Sequence, residues 1–338
     1  MLKNLFTRTK LSDRQERAVQ KTLQNLRQQR RNRFRILACV DGTEESFITV
    51  SFAARLAIND ECDIIILYVR PIDQALWSGG LQLRIARQNM MDSGFELPGV
   101  RDLKRALAIL KEEGIDVESW PKEASQQDAW GDPAGDTKVE YISPNGRSVV
   151  LKLKTAPDAA NGILDQYELG PYNLVIMGQP SRWRSEFKAW FGTGVVQEVV
   201  THAPCSVLVA RPSLDKEGFF ICTDGSSRSM QAVRRAAVLA HMMGASITLF
   251  SVAPDEAARP AAEEAVANAK ALLKAMKITV TDTRTAIGET VEEIIETGSS
   301  YRIIVVTDEG RSRLERIFKG STASAVVQNA RTSVLDVR

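Results

Sequence analysis

The chain of 338 residues has little of what builds metal centres or disulfide frameworks. Its four cysteines, Cys39, Cys62, Cys205 and Cys222, form no C-x-x-C pair, and its two histidines are His202 and His241. That spacing fits neither a zinc finger nor a stapled secreted domain. There is no run of about 18 apolar residues, so no membrane-spanning helix is expected. The first residues lack an apolar region followed by small residues, so no secretory signal is expected either. The G-x-x-x-x-G-K-(S/T) phosphate loop and the G-x-G-x-x-G dinucleotide fingerprint are both missing. Trp77-Ser78-Gly79-Gly80-Leu81-Gln82 lacks the Asp-Ser of the S-G-G-x-D-S pyrophosphatase loop. No Ser/His/Asp or Cys/His set falls at convergent strand ends, so a non-enzyme is expected, weak ATP hydrolysis aside. What is left is a cytoplasmic protein with reduced thiols, whose 44% apolar composition suffices for real cores.

The net charge of +2 hides an asymmetry. Residues 1–35 carry eleven Lys and Arg against Asp13 and Glu16, which makes that stretch +9 and the rest of the chain −7. Residues 1–33 therefore read as a basic arm, helical over about 13–30, with Ser12 or Asp13 as cap. Val19, Leu23 and Leu26 share one face of that helix, a stripe too thin to fold alone. The arm predicts an anionic partner: a protein surface, a second copy of this chain, or the inner face of an anionic membrane. Leu2, Leu5 and Phe6 could insert shallowly there. The arm has no groove-reading motif, so sequence-specific nucleic-acid binding is not expected.

Beyond the arm, buried strands alternate with helices. Strands are predicted at 34–40, 63–69, 173–178 and 206–210, and helices at 45–59 and 103–113, the latter leading into 115–117. Continuous β-branched runs separated by helices indicate a parallel sheet covered on both faces. Residues 120–147 break the rhythm with six Pro or Gly residues, and read as an insertion. Within it, Asn145-Gly146 between 138–142 and 148–153 signals a hairpin. After a linker at 212–218 the pattern recurs. Cys39-Val40-Asp41-Gly42 matches Cys222-Thr223-Asp224-Gly225, and Ser206-Val207-Leu208 matches Ser333-Val334-Leu335. Both ends of the unit repeat, which indicates a tandem duplication of one α/β domain.

Ligands of parallel sheets bind at the C-terminal strand ends. Asp41 and Asp224 stand there, each followed by Gly and then Thr43 or Ser226. They read either as caps of the next helix or as carboxylates that touch a nucleotide base or sugar. In the second copy, strand 303–307 runs into Gly310, and nine residues later into Gly320-Ser321-Thr322. Glycines let the main chain approach phosphate, and a helix N-terminus offers free amides. Arg311, Arg313, Arg316 and Lys319 make that loop basic. In the first copy, Trp183, Phe187, Trp190 and Phe191 recur at helical spacing, as a core or dimer face or a docking surface.

With the V-D-G-x-x-x-S start, the His202-Ala203-Pro204-Cys205-Ser206-Val207-Leu208-Val209 ending and the glycine loop in view, the chain resembles two universal stress protein domains in tandem, residues 34–211 and 219–338. The resemblance implies two doubly wound parallel five-stranded sheets in 3-2-1-4-5 order, like those of adenine nucleotide alpha hydrolases, packed through their last strands. It also implies a stress-response regulator that binds an adenine nucleotide, most plausibly ATP, and specifies no metal with it. Nucleotide-binding members carry G-x2-G-x9-G-(S/T). Gly310 and Gly320-Ser321 keep the nine-residue spacing, with Thr307 in place of the first glycine. In the first copy Gly178 fits, Ser181 replaces the next glycine, and Gly192-Thr193 lies one residue too far on, unless Thr193-Gly194 takes that place. Carried over residue by residue, the resemblance assigns Asp224, Val252, Ala253, Gly310, Gly320, Ser321 and Thr322 to the second site. It assigns Asp41, Val69, Gly178, Ser181, Gly192, Thr193 and Gly194 to a degenerate first one. The alternative is a ligand-free scaffold that docks through the basic arm.

Overall fold

The computed structural model of the chain describes residues 33–58, 62–72, 85, 88–89, 99–129, 132–166, 171–179, 193–212, 216–307 and 322–338. The basic arm helix, the Trp183–Phe191 stripe and most of both glycine loops lie outside the described residues.

The first repeat runs β1 (Phe34–Val40), α1 (Glu44–Leu56), β2 (Cys62–Pro71), α2 (Val100–Glu112), β3 (Lys122–Ala129), β4 (Asp132–Ile142), β5 (Ser148–Ala156), α3 (Ala159–Leu164), β6 (Leu174–Gly178), α4 (Thr193–His202) and β7 (Ser206–Ala210). The second runs β8 (Glu217–Cys222), α5 (Ser227–Met242), β9 (Ile247–Ala253), α6 (Arg259–Ala275), β10 (Asp282–Ile287), α7 (Thr290–Gly298), β11 (Tyr301–Thr307), α8 (Thr322–Asn329) and β12 (Ser333–Val337). The first helix of each repeat starts for the same reason. The Thr43 and Ser226 hydroxyls accept the amides of Ser46 and Ser229, each at 3.2 Å, which satisfies donors that the helix itself cannot. β8 begins at Glu217, inside the stretch read as a linker.

The strands form one sheet of twelve among the described residues, in the order β10-β9-β8-β11-β12-β7-β6-β1-β2-β5-β4-β3. This corrects the expectation of two five-stranded sheets: the last strands, expected to pack together, pair and join both repeats in one sheet. Within it, the second repeat keeps the 3-2-1-4-5 order, and its strands pair in parallel. The first repeat has the same order with β5, parallel to β2, in the third place. The insertion expected at 120–147, read with a hairpin across Asn145-Gly146, is mostly β-structure. β3 and β4 form an antiparallel hairpin that extends the sheet past β5, and the Asn145-Gly146 turn joins β4 to β5.

Helices cover both faces. α1 packs on α2 and on α5, which packs on α6; α3 packs on α4, and α7 on α8. The α3/α4/α7/α8 side holds one apolar cluster that takes side chains from both repeats, among them Leu67, Val175, Val199, Phe220, Ile304 and Val326. Both repeats belong to a single compact unit, Arg35–Arg338.

The repeats meet where β7 and β12 pair antiparallel, Leu208 opposite Leu335. The repeated Ser and Arg of these strands cross the seam in both directions. The amide of Arg211 donates to Ser333 Oγ at 3.0 Å, and that of Arg338 to Ser206 Oγ at 3.2 Å. The Arg211 guanidinium reaches the carbonyls of Thr332 and Val327 at the end of α8, and also Gln179 Oε1. The Arg338 guanidinium reaches the carbonyls of Val200 and Ala203 at the end of α4. Each repeat thus caps the other's last helix, where free carbonyls and the helix dipole favour a cation. Arg211→Ala should therefore cost about 3 kcal/mol, since it removes several charge-assisted bonds to buried acceptors. Chemical denaturation reads the loss, with Arg284→Ala, at an exposed ion pair with Asp282, as a control expected to lose much less.

Candidate functional site

The second repeat leaves a cavity of about 560 Å³ at the C-terminal ends of β8, β9 and β11, a size typical of small-molecule sites at about 300–1,000 Å³. It opens where strand order reverses, between β8 and β11, so that the helices leaving these strands depart on opposite faces. Asp224, Ser226, Ser227, Arg228 and Ser229 line it from the start of α5, Ser251 and Val252 from β9, Thr290 from α7, Thr307 from β11 and Thr322 from α8. The first turns of three helices therefore border one cavity, a setting of free amides that suits an anion. Apolar wall comes from Phe250, Ile294 and Val306.

Asp224 is held in place by its own turn. Gly225 has φ +79°, a conformation that glycine adopts without strain, and brings the chain round so that the Ser226 amide donates to Asp224 Oδ1 at 2.9 Å. Burial pushes the Asp224 carboxyl up, but hydrogen bonds from Ser229, Ser226 and the main chain outweigh it and hold the pKa below the ordinary value. Thr223 Oγ1 and Ser229 Oγ share a bond at 3.0 Å and stiffen the turn. The helix cap is thus Ser226 rather than Asp224. Cys222 also lines the cavity, but burial pushes its thiol far up, so it stays protonated and is no nucleophile.

Of the residues expected at this site, Asp224, Val252 and Thr322 line the cavity. Ala253 does not: its carbonyl accepts the Gly288 amide at 3.0 Å, in the turn that leads to α7. Gly310, Gly320 and Ser321 lie outside the described residues. Thr307, standing for the motif's first glycine, donates its hydroxyl to the Val337 carbonyl at 2.9 Å, so its side chain is turned partly towards the seam. Arg228, Ser251 and Thr290 were missed in the sequence. Their signal was position alone: each lies at a strand end or in the first turn of a helix that leaves the sheet on the cavity's side.

The first repeat keeps the turn and packs the end of β6 closely. Asp41 Oδ1 accepts the amide and hydroxyl of Thr43, at 2.9 and 2.6 Å, with Gly42 at φ +85°. A Cβ on Gly178 would lie 2.7 Å from the Glu45 carbonyl oxygen and 2.8 Å from Ser46 Cα. The end of β6 is therefore pressed directly against the first turn of α1, where the second repeat has Thr307 and a cavity. Val69 is buried in the core, with one methyl carbon 2.5 Å from where a Cβ on Gly162 would stand. Arg70, at the position of Ala253, is buried and donates to Thr155 Oγ1 at 3.1 Å and the Gly135 carbonyl at 3.4 Å. Its charge serves to hold β4 and β5. Gly194, exposed in the first turn of α4, has open space around it. Thr193 begins α4, and Ser181 and Gly192 lie outside the described residues.

The universal stress protein family model matches residues 32–211 and again 219–338. The chain belongs to the universal stress protein family. Family members of known structure share its tandem fold. A universal stress protein from Archaeoglobus fulgidus DSM 4304 is 16% identical, with 90% of this chain and 96% of that one covered and a TM-score of 0.55. One from Pseudomonas aeruginosa UCBPP-PA14 is 14% identical, with 90% and 92% covered and a TM-score of 0.57. A shorter one from Archaeoglobus fulgidus, solved in complex with dAMP, is 17% identical, with 36% of this chain and 98% of that one covered and a TM-score of 0.31. Among curated proteins none matches this chain significantly. Among the described residues no group of three or more His, Cys, Asp or Glu is placed to hold a metal, and no helix is long and apolar enough to cross a membrane.

Two consequences of this geometry are measurable. Gly178→Ala should destabilise by about 2 kcal/mol, because backbone cannot move aside for the new methyl, whereas Gly194→Ala should be neutral or stabilising by up to about 0.5 kcal/mol. Equilibrium denaturation of the two variants tests the pair. Asp224, depressed in the native state, contributes stability that is present above the ordinary carboxylate pKa and lost as pH falls through its lower native value. The stability gap between the parent chain and Asp224→Asn should be constant above about pH 5 and shrink below about pH 4, as read by melting temperature across that range.

Proposed function

We propose that this protein is a nucleotide-responsive regulator of the universal stress protein kind, which binds an adenine nucleotide, ATP first among them, in the second repeat and carries a first repeat that has lost the site. The observation that carries this reading is the cavity between the ends of β8 and β11, with Asp224 and the first turns of α5, α7 and α8 around it. The apolar wall of Phe250, Ile294 and Val306 suits a purine, and the carboxylate of Asp224 suits a ribose or exocyclic amine. Serine and threonine hydroxyls, helix amides and Arg228 suit phosphate. In this reading the site binds without turnover: burial holds the thiol of Cys222 protonated, and the hydroxyls of Ser226 and Ser229 are engaged in the turn that holds Asp224.

The contrast between repeats supports the assignment of one site. In the first repeat the end of β6 packs directly on the first turn of α1 at Gly178, where the second repeat has Thr307 and the cavity. The experiment is a thermal-shift titration of the full chain with ATP, ADP, AMP and cyclic nucleotides, repeated on Asp224→Ala. Saturation with the preferred nucleotide, at about 100 times its Kd, adds about 2.7 kcal/mol of stability and should raise the melting temperature by a few degrees. The variant should lose most of that rise. If no nucleotide shifts the melt, the reading fails, and function moves to a partner of the basic residues 1–33.

A further inference from the structure

The hairpin that distinguishes the first repeat carries a second chemical feature, away from the cavity. Lys138 on β4 and Lys152 on β5 are directly opposite in the antiparallel register, and Lys154 follows across from Asp136. Like charges in such cross-strand positions repel. Two of the three lysines have a carboxylate partner: Lys154 Nζ lies 2.7 Å from Asp136 Oδ2, and Lys138 Nζ 2.7 Å from Glu140 Oε2. Lys152 has no carboxylate among the described residues. Its Nζ donates at 2.7 Å to Gln166 Oε1, and that fully buried amide is fixed in turn by its own bond to the Gly162 carbonyl at 2.9 Å. From β2 the residue beside it is Leu67. The charges that act on the amine are Lys138, Lys154 and Asp136.

We propose that Lys152 is a site of covalent acylation, with an acyl phosphate as the donor, its ε-amine made nucleophilic by the two flanking ammonium groups and by a neutral acceptor in place of a counter-ion. Burial, with Lys154 and Lys138 beside it, lowers its pKa from 10.5 to about 8, so a substantial fraction is free amine near neutral pH. The amine lone pair attacks the carbonyl carbon of the acyl phosphate. The new C–N bond forms, the C–O bond to phosphorus breaks, phosphate leaves with that electron pair, and the amine proton goes to water. The product amide keeps one N–H for Gln166 and no longer carries the charge that opposes Lys138 and Lys154. The site therefore favours the acylated form, whereas a solvated lysine gives up nothing unfavourable on reaction.

Full-length protein incubated with acetyl phosphate between pH 6.5 and 9, with site-resolved mass spectrometry, tests this. The exposed Lys270 of α6 serves as internal reference. At pH 7.5 Lys152 should be acetylated roughly tenfold faster than Lys270, with a rate that half-rises near pH 8. Lys154→Gln frees Asp136 to act on Lys152, and should slow Lys152 several-fold at pH 7.5 without changing Lys270. Equal rates at Lys152 and Lys270 in the parent chain would overturn the proposal whatever the variant does. An unchanged Lys152 rate in a folded Lys154→Gln would overturn the role of the flanking cation. If that variant does not fold, the pH profile of the parent chain decides by itself.

Discussion

The structure depends on a reciprocal exchange of two arginines. A β7/β12 pair of a few residues would be a weak joint by itself, yet it is the only strand pairing between the repeats among the described residues. Arg211 and Arg338 make it rigid by ending each other's final helix, and the two serines lock the strand ends on either side. These bonds are made by a buried and a half-buried guanidinium to carbonyls that no helix could satisfy internally, so their loss would leave costly orphans on both sides. With the joint fixed, the apolar side chains of four helices close over it as one core.

On that symmetric frame the two repeats diverge at the strand ends. Where the motif begins, one has Gly178 packed on a helix turn and the other Thr307 beside a cavity. At the end of the second strand, one has Arg70 tying down a hairpin and the other Ala253 in a main-chain turn. The extra hairpin and Arg70 belong together, since this arginine at the end of β2 holds β4 and β5.

Much of the fold was legible in the sequence because burial on both faces of a parallel sheet leaves unbroken runs such as Ile64-Ile65-Ile66, and because the Asp-Gly and Ser-Val-Leu segments repeat. The fusion into one sheet was less legible. It rests on Arg211 and Arg338, whose partners lie more than a hundred residues away and which read locally as chain-end charges. Within the insertion the hairpin across Asn145-Gly146 was legible, but β3 and the start of β4 were not, because Pro133 and Gly135 mark a break in most contexts, whereas near the sheet's margin a strand tolerates them. Asp224 and Thr322 were found from motif and strand order. Arg228, Ser251 and Thr290 belong to no motif, and only the convergence of three helix starts brings them together. Ala253 lies outside the cavity lining and Gly178 against a helix turn, since a glycine or small residue at a strand end serves close packing as readily as ligand approach.

The shared core on the α3/α4/α7/α8 side changes what the word domain means for this chain. Val199 and Val326 belong to different repeats but to one apolar cluster, so neither repeat can shed its partner without wetting its own interior. A proteolytic cut in the connection between β7 and β8 would leave two fragments that stay together as a heterodimer and melt as one body.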